Sequence, residues 1–317
     1  MNRRGFLFGL AAAFAQPPGR VYRVGRLTAA LSDPRSTEAF ERGLRELGRD
    51  VGRSLVIETR SAEGDAARLP ALAAELVTAK AEVIVAIGDP AIAAARRATT
   101  TIPIVMAVAT DAVERGYVAS LARPGGNVTG ISAFLPELAG KRLEILKEVV
   151  PSARRVGVLS ARVAFHQSEL TRIRAAAPAL GLEIRSVEVK TAGDLAEIIR
   201  GWAKAGVEAL YVQPSSGFTD VHRGRIADLA LQARLPAMGA LDFYAEAGCL
   251  VSYGANRLAW HHRSAYFVDR ILKGARAADL PVEQPTQFEL VINTRTAKAL
   301  GLAIPPAVLQ RADRLIE

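Results

Sequence analysis

Val83-Ile84-Val85-Ala86-Ile87 runs directly into Gly88-Asp89-Pro90 and then into the alanine-rich stretch Ala91-Ile92-Ala93-Ala94-Ala95-Arg96-Arg97-Ala98. Five consecutive apolar residues, mostly β-branched, read as a strand covered on both faces, the condition of a parallel sheet. Pro90 then falls in the first turn of a helix, where a missing N–H and a fixed φ are tolerated. Strand, glycine turn and helix make one βα unit, and repeated βα units imply parallel strands with right-handed crossovers.

The same alternation extends in both directions. Upstream, residues 21–27 and 54–59 read as strands. Residues 34–47 read as a helix with Phe40, Leu44 and Leu47 at helical spacing, and residues 66–79 as another with Leu69, Leu72 and Leu76 on one face. Residues 102–108 form a fourth strand. After the turn Pro124-Gly125-Gly126-Asn127 comes a short strand at 128–132 that could cross between lobes, and a second series begins. It comprises a helix at 138–150 stopped by Pro151, a strand at 155–160 and a helix at 168–180 with Gly181 as its C-cap signal. A strand at 183–189, a helix at 192–205, a strand at 209–213 and a helix at 223–234 follow. The tail differs, with a long helix at 255–272, a strand at 288–292 and short helices at 294–300 and 306–315. Two βα series in tandem suggest duplication of a half-domain fold, an α/β protein of two lobes with parallel sheets. The expected division is 21–130 plus 255–278 for lobe one and 131–254 plus 279–317 for lobe two. A tail that visits both lobes makes a multi-strand hinge on which they can close.

The chain opens with Arg3-Arg4, then Phe6-Leu7 and a short apolar run that ends in Ala13-Phe14-Ala15. This reads as a twin-arginine-type signal peptide over residues 1–15, with Gln16-Pro17-Pro18 beyond the cleavage site. The apolar run is about ten residues, half of what a membrane span needs. A chain of 317 residues with the leader removed is large enough for two α/β lobes. Cleavage would lower the formal charge of +9 by the two arginines, to +7, a modest and dispersed excess. No dense Lys/Arg run with interleaved aromatics is present, so nucleic acid is not an expected partner. The single cysteine, Cys249, excludes an internal disulfide and reads as a small packed hydrophobe.

Ligands of parallel α/β sheets sit beyond the carboxyl ends of the strands. In lobe one that selects Ser32, the loop Gly88, Asp89 and Pro90, and the pair Thr110 and Asp111. Gly88 lets a ligand approach the backbone, and the helix start behind it offers N–H groups to a carboxylate. Asp89 is open to two readings, helix N-cap or ligand contact, and Asp111 likewise as a cap or as the partner of a ligand ammonium. In lobe two the corresponding positions are Phe165, Gln213, Ser215, Phe218 and Asp242. Phe165, Phe218 and Phe243 stand in otherwise polar loops, where together they could wall an apolar ligand group. Asp242 is a second candidate ammonium partner, and Tyr253 is either core or ligand wall.

Other chemistries lack their residues. The four histidines, His166, His222, His261 and His262, make no HExxH or Cys/His pattern, and the adjacent pair points to different helix faces. There is no GxSxG elbow and no Walker A loop. No metal, cofactor or catalytic activity is expected.

Several segments carry a family resemblance: Ile102-Pro103-Ile104-Val105, Leu121-Ala122-Arg123-Pro124-Gly125-Gly126-Asn127-Val128-Thr129-Gly130-Ile131-Ser132, and Lys141-Arg142-Leu143-Glu144-Ile145-Leu146-Lys147. They continue with Gly248-Cys249-Leu250-Val251-Ser252-Tyr253-Gly254, Asp279-Leu280-Pro281-Val282-Glu283-Gln284-Pro285 and Phe288-Glu289-Leu290-Val291-Ile292-Asn293. In order and spacing the chain resembles the ABC-transporter substrate-binding proteins of the type I periplasmic-binding fold, in the branch of tryptophan/tyrosine-type binders. The resemblance implies a periplasmic protein that closes two Rossmann-like lobes on a small molecule and docks on a membrane permease. It implies an aromatic or related amino acid as ligand, with Gly88, Asp89 and Pro90 at its carboxylate and Asp111 and Asp242 at its amine. A monomer suits such a carrier. A receptor that signals ligand to a membrane kinase is the alternative on the same scaffold, and an enzyme is a third.

Overall fold

A computed structural model of the chain describes residues 20–29, 33–133, 138–161, 165–214 and 218–317. The expected leader falls outside the described residues. In chain order the first half carries β1 (Tyr22–Thr28), α1 (Pro34–Glu46), β2 (Leu55–Ser61), α2 (Leu69–Thr78), β3 (Val83–Ile87), α3 (Asp89–Ala98), β4 (Ile104–Ala109) and β5 (Val128–Ser132). Then come α4 (Leu138–Val149), β6 (Arg155–Ala161), α5 (Phe165–Ala176), β7 (Glu183–Val189), α6 (Leu195–Lys204), β8 (Ala209–Val212), α7 (Arg223–Gln232), β9 (Ala237–Gly239), α8 (Asp242–Glu246) and β10 (Val251–Ala255). The tail is α9 (Arg257–Leu272), β11 (Phe288–Asn293), α10 (Thr294–Leu300), α11 (Pro306–Arg311) and β12 (Arg314–Ile316).

Two sheets result. The first has the order β2-β1-β3-β4-β5 with every pair parallel. The second has the order β12-β11-β10-β9-β8-β6-β7 and is parallel except where β11 runs against β10. β3 shows why its apolar run is continuous. Ile84 and Ala86 pack with Leu76, Ile92 and Ala95 under α2 and α3. Val83 and Val85 pack with Phe40, Leu44 and Phe267 under α1 and α9. Each large side chain taken out of water in this way contributes about 1.5–3 kcal/mol.

α1 and α9 form the tightest helix pair of lobe one. The buried stripe of α1 is Ser36, Ala39, Phe40, Gly43 and Leu44, a 3.6-residue period. Gly43 is required by proximity: a Cβ there would lie 2.5 Å from the carbonyl oxygen of His262. Asp33 caps α1 by accepting from the Arg35 amide, and Asn256 caps α9 by accepting from the Ala259 amide.

The tail then returns to lobe two through β11 and β12. On the way residues 280–283 lie along β5. Glu283 exchanges backbone bonds with Gly130 and Ser132 at 2.9 Å each, and Thr129 Oγ1 donates to the Leu280 carbonyl at 2.7 Å. The Arg263 guanidinium, on α9, holds the Glu283 carboxylate through two bonds of 2.7 and 2.8 Å. The hinge crossings are thus tied to one another.

Three expectations change. The strand at 128–132 does not cross between lobes but closes the first sheet as β5. The helix read at 168–180 is α5 followed by a 3₁₀ turn over Ala177–Leu180, tightened at Pro178 and ended by Gly181 in the left-handed region. The closing helix at 306–315 stops at Arg311, and residues 314–316 become β12. Asp313 makes the break by holding β11 on both sides: its amide donates to the Leu290 carbonyl at 2.9 Å and its carboxylate accepts from the Leu290 amide at 2.7 Å.

Candidate ligand-binding cleft

The carboxyl ends of β1, β3 and β4 carry the loops of lobe one that the strand-end rule selects. Gly88 ends β3 with φ 83° and is itself the N-cap of α3, its carbonyl accepting from Ala91 and Ile92 at 3.1 Å each. Asp89 is therefore the first helical residue and not the cap, a correction that follows from the glycine's left-handed φ. Its carboxylate turns back to β4, where it accepts from the Thr110 amide at 3.2 Å and from the Thr110 hydroxyl. Arg115 lies 3.8 Å from the same carboxylate. Tyr117 donates to the Asp89 carbonyl at 3.2 Å. Burial first, and then the Asp89 charge, push the Tyr117 hydroxyl up to about 12, so it stays a donor. The Asp89 amide has no acceptor among the described residues, and Pro90 offers none.

Asp111 follows Thr110 directly. Its Oδ1 accepts from the Val113 and Glu114 amides at 3.1 and 3.0 Å, capping a turn over residues 112–116 and not a helix. Its Oδ2 has no partner among the described residues. The half-buried Asp111 thus has one carboxylate oxygen unengaged by the described residues.

In lobe two the strand ends rest on a buried polar network that the sequence reading did not find. Glu169 Oε1 accepts from Arg142 Nη1 at 3.0 Å and from the Tyr211 hydroxyl at 2.7 Å, and Oε2 accepts from Gln213 Nε2 at 3.0 Å. Arg142 Nε donates to the Tyr253 carbonyl at 2.8 Å. The Ser160 hydroxyl donates to Gln213 Oε1, and Thr219 Oγ1 donates to the Gln213 carbonyl at 2.6 Å. All six residues whose side chains build it, Arg142, Ser160, Glu169, Tyr211, Gln213 and Thr219, are buried. Burial alone would lower the Arg142 pKa, but Tyr211 and Glu169 outweigh it and hold the guanidinium charged. Burial and the Glu169 charge drive the Tyr211 hydroxyl far up. Gln213 is therefore not a loose loop residue. It is fixed at the end of β8 from both ends of its amide.

The remaining positions are distributed as follows. Phe218 packs on the core of lobe two, edge-on to His222 with ring centroids 5.0 Å apart. Phe243 lies under the guanidinium groups of Arg223 and Arg257, at 5.1 and 5.6 Å. Tyr253 sits in β10 beside Phe288 and packs on the core. Asp242 is the first residue of α8, and both of its oxygens are occupied by Arg257, at 3.0 and 3.2 Å. That pairing leaves it neither a cap nor a free ammonium partner in this arrangement. Ser32, Ser215 and the Phe165 side chain lie outside the described residues.

Among the described residues no group of three or more His, Cys, Asp or Glu could hold a metal ion, and no helix is long and apolar enough to cross a membrane. Burial pushes the Cys249 thiol up to about 12, which keeps it protonated.

Comparison with known proteins gives a consistent result. The family model described as ABC transporter substrate binding protein matches residues 32–316. A curated relative, the "Tyrosine-binding protein" of Clostridioides difficile (strain R20291), is 26% identical over 280 residues, 88% of this chain and 80% of the relative. A solved structure of an ABC domain in complex with L-Trp from Streptococcus pneumonia superposes with a TM-score of 0.84 at 26% identity, covering 93% of this chain and 99% of the other. A conserved domain protein from Vibrio cholerae gives 0.83 at 27% identity, covering 94% and 100%.

Proposed function

This chain belongs to the ABC transporter substrate binding proteins, and from that premise we propose that it captures an aromatic amino acid, or a close analogue, between its two lobes. As a solute-binding protein of an ABC transporter, it takes a small molecule as ligand and a membrane permease as partner.

The observation that carries the proposal is the pairing of opposite hydrogen-bonding characters at the ends of β3 and β4. The open amide of Asp89 at the start of α3 is a seat for a ligand carboxylate, favoured by the helix dipole. The Asp89 side chain, drawn off to Thr110 and Arg115, does not stand against it. Thr110 links that seat to Asp111, whose open Oδ2 is an acceptor for an ammonium group one residue along. The aromatic part of the ligand then meets lobe two, with Gln213 fixed at the floor and Phe218 and Phe243 as apolar surface. Two relatives point the same way, one named for tyrosine and one bound to L-Trp. Binding starts on one lobe, and contacts from the other favour closure. We read the protein as an exported, periplasmic monomer released from a cleaved leader, a carrier and not a catalyst.

A thermal-shift screen tests this. L-tyrosine, L-tryptophan, L-phenylalanine, benzoate and a purine nucleoside are added to the purified protein. A ligand at a hundred times its dissociation constant adds about 2.7 kcal/mol of stability. A shift with an aromatic amino acid that is lost in Asp111→Asn supports the assignment. A shift only with benzoate or the nucleoside overturns the ligand class.

A further inference from the structure

The two lobes face each other through a set of charged side chains that is distinct from the carboxylate and ammonium seats proposed above and borders the proposed apolar surface at Phe243, which lies under Arg257. On lobe one, Asp33, Arg35 and Ser36 lie at the start of α1, and Arg257 opens α9. The Arg257 guanidinium donates to the Asp33 carboxylate and to the Ser36 hydroxyl, so these residues form one unit. On lobe two, Arg314 of β12 gathers the acidic groups. It donates to Glu246 at 2.6 Å and lies 3.3 Å from Glu289 and 3.5 Å from Asp242. Each half is assembled by contacts within its own lobe.

Their charges are complementary. Asp33, Arg35 and Arg257 leave one positive charge in excess. Asp242, Glu246, Glu289 and Arg314 leave two negative charges in excess. Three pairs cross from lobe to lobe: Arg257 with Asp242 at 3.0 and 3.2 Å, Arg35 with Glu246 at 2.6 Å, and Arg35 with Asp242 at 3.9 Å. The first is next to the β10–α9 crossover. The Arg35 pairs are carried by α1 and α8, which belong to different sheets. The lobes also touch where Gly64, after β2, comes against Val221, before α7: a Cβ at Gly64 would lie 3.2 Å from Val221 Cγ1.

We propose that the Arg35–Glu246 and Arg257–Asp242 pairs are an electrostatic latch that draws the two lobes together without ligand, so that ionic strength sets the balance between closed and open forms. Arg257–Asp242 is buried and bidentate and holds the hinge side. Arg35 and Glu246 are partly exposed, so salt screens this pair first. Stabilising the closed form also favours any ligand that binds between closed lobes. The proposal rests on the two-lobe carrier reading only in requiring that the lobes can part, and it is independent of which ligand is carried.

The test is small-angle X-ray scattering on the ligand-free protein, which keeps it separate from the screen for ligand. The radius of gyration is measured at 20 mM and 1 M NaCl for wild type, Arg35→Gln, Glu246→Gln, the double variant and the control Lys141→Gln. Both latch side chains are partly exposed, so the variants fold. The expected result is a compact wild type at low salt and a larger radius at high salt. Arg35→Gln and Glu246→Gln are expected to show the larger radius already at low salt, with the closed-to-open ratio lower by a factor of about two to five, the range of a partly exposed ion pair. The double variant matches the singles, and Lys141→Gln matches wild type. A radius unchanged by salt and by every variant overturns the latch, and so does a wild type as expanded at low salt as Glu246→Gln.

Discussion

Glu169→Gln removes one charge and little volume from the polar network under lobe two. The carboxylate accepts three hydrogen bonds, from Arg142, Tyr211 and Gln213, at 3.0, 2.7 and 3.0 Å. A carboxamide can accept at only one of its two ends, and its NH₂ is turned on a group that also donates. Arg142 then remains buried with no counter-charge. Breaking a buried ion pair by removing one partner destabilises by about 3–5 kcal/mol. Removing both charges is gentler. Arg142→Met with Glu169→Met leaves Tyr211 and Gln213 short of an acceptor, a loss of about 1–3 kcal/mol each, in part recovered by apolar packing. The double variant should therefore be more stable than the sum of its two single variants by well over about 1 kcal/mol, the coupling expected of residues in contact. Urea unfolding followed by circular dichroism reads the difference as midpoints at constant slope. A loss below about 1 kcal/mol for Glu169→Gln, small beside the buried-pair range, refutes the reasoning, as does a double variant that loses the sum of the singles.

Three further outcomes are expected. Gly43→Ala forces a methyl against the His262 carbonyl and should destabilise lobe one by about 1–3 kcal/mol, measured by the same urea titration. Thr110→Val removes the hydroxyl bonded to Asp89 and should cost about 1 kcal/mol while weakening aromatic amino-acid binding in a calorimetric titration; unchanged affinity would separate Thr110 from the seat. His261 is held neutral, its pKa lowered to about 3 by burial and then by Arg26 and Arg257, against 6.5 unfolded. Below 6.5 the unfolded chain binds the extra proton, so stability falls with pH through the window from 6.5 to 3, by up to about 1.4 kcal/mol per pH unit. His261→Phe should flatten that part of the stability curve, and an unaltered slope contradicts the assignment.

The alternation of strands and helices was legible because burial on both faces of a sheet writes itself into runs such as Val83 to Ile87. The close of the chain was not, since Arg314, Leu315 and Ile316 become a strand only through contacts that Asp313 and Arg314 make with β11 and α8. The same division holds for the site. Gly88 and the pair Thr110–Asp111 could be placed from the strand-end rule, which needs only sequence order. Where the Asp89 carboxylate turns, and whether Asp242 stays free, depends on partners distant in sequence: Thr110 for the one and Arg257 for the other. The Arg142–Glu169 network does have a signal in the sequence. Arg142 falls within the apolar stripe of Ala139, Leu143 and Leu146, and Glu169 beside Leu170 and Ile173, where a charge needs a buried partner.

Isothermal titration calorimetry with L-tyrosine and L-tryptophan, each beside its analogue lacking the amine and its analogue lacking the carboxyl group, tests the central claim most directly. The account predicts saturable one-to-one binding of an intact amino acid, with both analogues markedly weaker. Asp111→Asn should erase the penalty for losing the amine and leave the penalty for losing the carboxyl group. Equal binding of the analogue without the amine to the wild type, or no heat from either amino acid, would contradict it.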